Sequence, residues 1–182
     1  MKQLLLILML LTASSSALAL DEINTTYFEN VAIEGCDAVA YFTEQRAVEV
    51  SKKHETNYKD ANWRFASAAN LAAFQADPKR YAPQYGGYCA WAVSQNDTAG
   101  IDPTQFTVHD GKLYLNCSKK ISARWKADKE AFINDTDRYW PQLLQNSKQN
   151  KMKKSRIGLF LSTSPSYPCN RSSSSSAAHK RQ

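Results

Sequence analysis

The rhythm of apolar and polar positions changes several times along this chain, and each change predicts an element. Residues Leu4 to Leu11 form an unbroken apolar run. Asp21 to Glu34 shows little periodicity and leads into a folded body. Val39 to Phe42 is a compact apolar group that predicts a buried strand, with Ala47 to Val50 as a short partner. Trp63-Arg64-Phe65 alternates and is aromatic, which suits a half-buried strand. Glu55 to Tyr58 and Asn62 to Ala66 therefore predict a hairpin around Lys59-Asp60-Ala61, although no glycine is there to favour a tight turn.

Helix signals follow. Ser67 stands where an N-cap belongs, since its hydroxyl can accept a free backbone N–H of the first turn. The Ala-rich stretch after it places Leu71 and Phe74 on one face. It should end by Asp77, because Pro78 disfavours helical geometry in the residue before it. Asp77 and Pro78 then suit the cap and first position of a second short turn. Tyr88 to Val93 predicts another strand and Ser94 to Gly100 a polar loop. Phe106 to His109 and Lys112 to Leu115 flank Asp110-Gly111, a dipeptide that readily supplies the positive φ angles of a type I′ hairpin turn. Ser118 predicts a cap for a helix carrying Ile121 and Trp125, Phe132 continues that apolar face, and a last helix is expected from about Thr136 to Gln145. The fold class expected is α+β: a small antiparallel sheet with a short helix after Ser67 and C-terminal helices.

Composition divides the chain into three. Lys2, the apolar run and Ala17-Leu18-Ala19 have the pattern of a cleavable signal peptide over residues 1–19. The run is short of the roughly 20 residues that span a bilayer, so no stable membrane span is expected after cleavage. The implied location is an oxidising compartment, most simply a bacterial periplasm. From Ser147 the chain turns basic and then Ser-rich, a composition that predicts a disordered tail over 147–182, with Ile157 to Leu161 as a lone apolar patch. The net charge of +6 belongs to that tail. All seventeen acids lie at or before Asp137, whereas eight bases lie beyond residue 147. The body at 20–146 is thus weakly acidic, and nothing in it supports a nucleic-acid partner.

The run Trp63 to Asn70, the segment Phe74 to Tyr81 and the block Ala82-Pro83-Gln84-Tyr85-Gly86-Gly87-Tyr88-Cys89-Ala90 resemble the YHS family, and more narrowly its small exported bacterial members. The resemblance extends to Gly35 through Phe42, Asp110 through Asn116, and Trp140-Pro141, covering about residues 30–145. It implies a small metal-knuckle type of domain and makes copper or zinc the first cofactors to consider. The family's usual ligand positions match Ala40, Ala66 and Asn70, which offer neither thiolate nor imidazole. Cys89 and His109 are the weak substitutes; no Cys-x-x-Cys or His-x-x-x-His spacing joins them. In the exported relatives the positions of Cys36 and Cys117 are usually aromatic. Their joint replacement by cysteine implies a disulfide, whose long loop would contribute about 4 kcal/mol; two buried free thiols are the alternative. Four cysteines allow three pairings.

Two further readings come from the residues themselves. Tyr85-Gly86-Gly87-Tyr88 offers backbone amides that can approach a ligand, with Tyr41, Trp63 and Trp91 as aromatic walls. The competing reading makes the glycines a turn and the aromatics core. Cys89, between Tyr88 and Ala90 in an apolar stretch, reads as an inert buried thiol or as a redox nucleophile. The functional expectation is a non-catalytic exported module that binds a small ligand or a periplasmic protein. Alternatives are a thiol-redox protein using Cys89 or a Cys36–Cys117 bridge, and a structural domain without ligand.

Overall fold

A computed structural model describes residues 20–162. The expected signal peptide over 1–19, Cys169 and the rest of 163–182 lie outside the described residues. The architecture is α+β, with two two-stranded antiparallel sheets and six helices among those residues. β1 (Glu55–Tyr58) pairs with β2 (Ala61–Arg64) in the register Glu55 to Arg64 and Tyr58 to Ala61. The turn is tight without glycine, because Lys59 and Asp60 both adopt positive φ, at 52° and 60°. Val31 pairs in parallel with Asn62 and extends this sheet by one bridge. β3 (Asp102–His109) pairs with β4 (Lys112–Asn116) across Asp110-Gly111, with φ of 49° and 69°.

Two expected strands are helices. Val39 to Phe42 is buried as anticipated, but α1 (Ala40–Thr43) coils there. Such a short apolar run has no periodicity to separate strand from helix, and the Asp37 carboxylate accepts the N–H of both Val39 and Ala40 at 2.8 and 3.2 Å. Ala47 to Val50 contributes one bridge, Cys36 to Glu49, in place of a strand. Cys89 likewise precedes a helix, α4 (Ala90–Ser94), where Tyr88 to Val93 predicted a strand.

The cap predictions hold. α2 (Ala68–Ala76) begins with the Ser67 hydroxyl accepting the Asn70 N–H at 3.1 Å. α3 (Pro78–Tyr81) begins with Asp77 accepting from Arg80 at 3.2 Å. α5 (Lys119–Ala127) begins with Ser118 accepting from Ile121 at 3.3 Å. The last helix differs most. α6 runs Lys129–Ser162, through Pro141 and through the start of the expected tail. The hydroxyl of Ser147, which is buried, donates to the Leu20 carbonyl, and Lys151 pairs with Asp21. Helical backbone therefore continues past residue 147, held where it meets the start of the described chain. Among the described residues no helix is long and apolar enough to cross a membrane.

The core has two parts. The first gathers Val39, Tyr41, Trp63, Phe65, Phe74, Leu113 and Leu115. Phe74 is its hub, with Trp63 at 4.9 Å, Phe65 at 5.0 Å and Tyr58 at 5.8 Å between ring centroids. The second gathers Tyr85, Ala90, Val93, Tyr114 and Trp125, covered by Phe132 and Trp140 from α6. Phe74→Ala should lower the unfolding free energy by about 3–5 kcal/mol in urea titration. Tyr27→Ala, at a ring 93% exposed, should change it by less than about 0.5 kcal/mol.

Candidate functional site

The three positions that the family resemblance assigns to metal ligands meet at one carboxylate. Asp37 is fully buried. Besides the N–H groups of Val39 and Ala40 on Oδ1, its Oδ2 accepts the Ala66 N–H at 2.8 Å and the Asn70 side-chain amide at 2.7 Å. Its own N–H donates to the Val48 carbonyl at 2.9 Å. Four donors converging on its two oxygens occupy the lone pairs that a metal ion would need. Ala40 and Ala66 contribute backbone N–H groups, and Asn70 contributes an amide N–H. These residues do not fit copper or zinc. Among the described residues, no group of three or more His, Cys, Asp or Glu side chains is placed to hold a metal.

The weak substitutes are apart as well. His109 is largely covered, not exposed at the hairpin end as its place beside Asp110-Gly111 suggested; its Nε2 lies 2.8 Å from Glu130 Oε1 of α6. That is an ion-pair distance without the alignment of a hydrogen bond. Cys89 lies on the other side of β4, bridged to Leu115.

The Tyr-Gly-Gly-Tyr segment is used by the chain itself. Gln84–Gly87 forms a 3-10 turn in which Tyr85, Gly86 and Gly87 all take positive φ. The Asn24 N–H donates to the Gly86 carbonyl at 2.8 Å, and the Asn24 side chain donates to the Gly87 carbonyl at 3.2 Å. A Cβ on Gly86 would stand 2.0 Å from the Glu22 carbonyl oxygen, so glycine is required by this close approach. Segment 22–24 occupies the surface that the glycines offered to a ligand.

The expected aromatic walls separate between the two cores. Tyr41 and Trp63 belong to the first: Tyr41 donates to the Pro103 carbonyl at 3.0 Å and Trp63 Nε1 to the Tyr58 carbonyl at 3.0 Å. Tyr85, Tyr88 and Trp91 belong to the second. Tyr85 donates to Asp137 Oδ1 at 3.0 Å and packs on Trp140; Tyr88 donates to the Asp21 carbonyl at 3.1 Å; Trp91 lies under the Arg124 guanidinium. The five aromatic candidates are thus divided between the two cores.

Clefts flank this segment instead. One of about 390 Å³ lies between residues 20–25, the Lys59-Asp60 turn and α6, where Leu144, Lys148 and Lys151 line it. A smaller one of about 180 Å³ shares Glu22, Ile23 and Lys59 and reaches Tyr58, Gly86 and Trp140. The larger falls in the usual range for small-ligand sites. Residues 20–25 and α6 were missing from the sequence-based site, because neither carries a motif and only their packing makes the cleft.

Cys36, Cys89 and Cys117 are free thiols, so the expected Cys36–Cys117 bridge is not formed. The two cysteines enter different surroundings. Cys36 lies in the first core beside Tyr41, while Cys117 neighbours Cys89. Burial pushes the thiols of Cys36 and Cys89 up to about 11, away from the reactive thiolate.

Two measurements check this geometry. Asp37→Ala, which strands four donors, should cost about 4 kcal/mol of stability, and Asn70→Ala about 2 kcal/mol, both by urea titration. Burial pushes the phenols of Tyr88 and Tyr114 up to about 12 and those of Tyr41 and Tyr85 higher still. The fold therefore favours neutral phenols. That stability is complete below the ordinary tyrosine value of about 10 and is lost as pH rises through about 12. Phenolate absorbance should accordingly show a late-titrating set whose ionisation coincides with loss of near-UV circular dichroism.

Comparison of the chain with protein-family models, with curated proteins and with solved structures returned no match.

Proposed function

We propose that this chain is an exported, non-catalytic binding or accessory module of the YHS kind, acting in the periplasm without a bound metal. The observation that carries the reading is the convergence of Ala40, Ala66 and Asn70 on the buried Asp37 carboxylate. A hydrogen-bonded anion joins the segments that a metal joins in the metal-binding members the chain resembles. The absence of catalysis is supported by the chemistry of the candidates. The Cys89 thiol is pushed up to about 11, and His109 is engaged with Glu130.

The binding role falls to the 390 Å³ cleft, whose lining mixes Lys59, Lys148 and Lys151 with Asp21, Glu22 and Asp60 around Ile23 and Leu144. Such a lining suits a small polar molecule, with a protein segment as the larger alternative. Native mass spectrometry of the protein taken from a periplasmic extract without chelator should show a metal-free chain with a small organic adduct. Leu144→Trp, which fills the cleft from α6, should remove that adduct. A stoichiometric metal adduct, or a rise in Tm on adding zinc, would overturn the metal-free reading; an adduct indifferent to Leu144→Trp would overturn the cleft.

A further inference from the structure

The two thiols at the end of β4 are the group in this molecule whose chemistry the binding role leaves unused. The Cys89 backbone bridges Leu115 in parallel, and Cys117 lies two residues beyond Leu115, just past the end of β4. Cys89 Sγ donates to Asn116 Oδ1 at 3.7 Å, and Cys117 follows Asn116 directly, which makes its thiol a neighbour of the same sulfur. Asn116 Oδ1 also accepts the Trp91 N–H at 3.2 Å, which fixes the start of α4 against the end of β4. The Asn116 side-chain N–H group is buried with no hydrogen-bond partner among the described residues. Cys89 is fully buried, whereas Cys117 is partly open to solvent just before the Ser118 cap.

We propose that Cys89 and Cys117 form a dithiol that closes to an internal disulfide by exchange with an external disulfide. The unequal exposure assigns the roles. The Cys117 thiolate attacks one sulfur of the oxidant R–S–S–R, its proton leaves to solvent, and a first thiolate departs. The Cys89 thiolate then attacks the Cys117 sulfur of the mixed disulfide and releases the second thiolate. The two cysteines lose two electrons and two protons; the oxidant is reduced to two thiols. Cys36 takes no part, since its neighbour is Tyr41 in the other core. The high proton affinity that burial gives Cys89 makes resolution the slow step and keeps the reduced form protected when no disulfide is present. The bond would tie the start of α4 to the start of α5, the two elements that hold Trp91 and Arg124 together.

The test uses the full chain, reduced, desalted and then incubated with oxidised glutathione. Intact mass should fall by two hydrogens, and a non-reduced digest should contain the peptide pair linked through Cys89 and Cys117. Cys89→Ser should instead accumulate glutathione on Cys117, because the resolving thiol is gone; Cys117→Ser should leave Cys89 reduced and unmodified. A linkage through Cys36 or Cys169 in the wild-type chain would overturn the proposal. So would a stable glutathione adduct on wild-type Cys117 with Cys89 still free after denaturation. The wild-type digest and Cys117→Ser decide the matter even where Cys89→Ser fails to fold.

Discussion

Four hydrogen bonds to one buried carboxylate hold the first half of this molecule in register. Asp37 lies far in sequence from Ala66 and Asn70, yet it accepts from both, and it also caps the turn that starts α1. A buried charge is tolerated only where donors replace its water. Here the donors come from three separate segments, so they must arrive together. Removing any one weakens the others' reason to be there. That coupling positions β2 against α2, and with them Trp63, Phe65 and Phe74 in the first core. It is also the physical reason that cysteine or histidine is not needed at those positions.

The second half depends on a different constraint, the close approach of backbone to backbone at Gly86. Segment 22–24 lies across the glycines, and Tyr88 bonds to Asp21 at its edge. α6 then covers Tyr85 and Tyr88 with Trp140 and reaches the same N-terminal segment through Ser147 and Lys151. Residues 20–25 and the stretch of α6 from Leu144 to Lys151 are thereby brought together beside the Lys59-Asp60 turn, and the 390 Å³ cleft is the space they enclose. Binding capacity in this reading is a product of α6 meeting segment 20–25, which lies across the glycine pair.

The thiols show how position decides chemistry. Cys36 and Cys89 are both buried and both pushed up to about 11. Among the described cysteines, Cys89 and Cys117 are neighbours, and only Cys117 is partly open to solvent. Equal residue types thus separate into a packing thiol and a pair suited to exchange.

Local signals were legible in the sequence. The Ser67, Asp77 and Ser118 caps, the Asp110-Gly111 hairpin and the Lys59-Asp60 turn each arise from interactions within a few residues, so the residues alone determine them. The α+β class follows from the same signals. Tertiary structure decided what depends on distant partners. Val39 to Phe42 and Tyr88 to Val93 coil because Asp37 and the β4 neighbour give their N–H groups and apolar faces other partners, which no short apolar run reveals. α6 continues past residue 147, where composition suggested disorder and where Ser147 instead finds the Leu20 carbonyl. Cysteine pairing was beyond the sequence for the same reason. Spacing and compartment say that thiols can pair, but only the packing of β4 beside the start of α4 makes Cys89 the neighbour of Cys117.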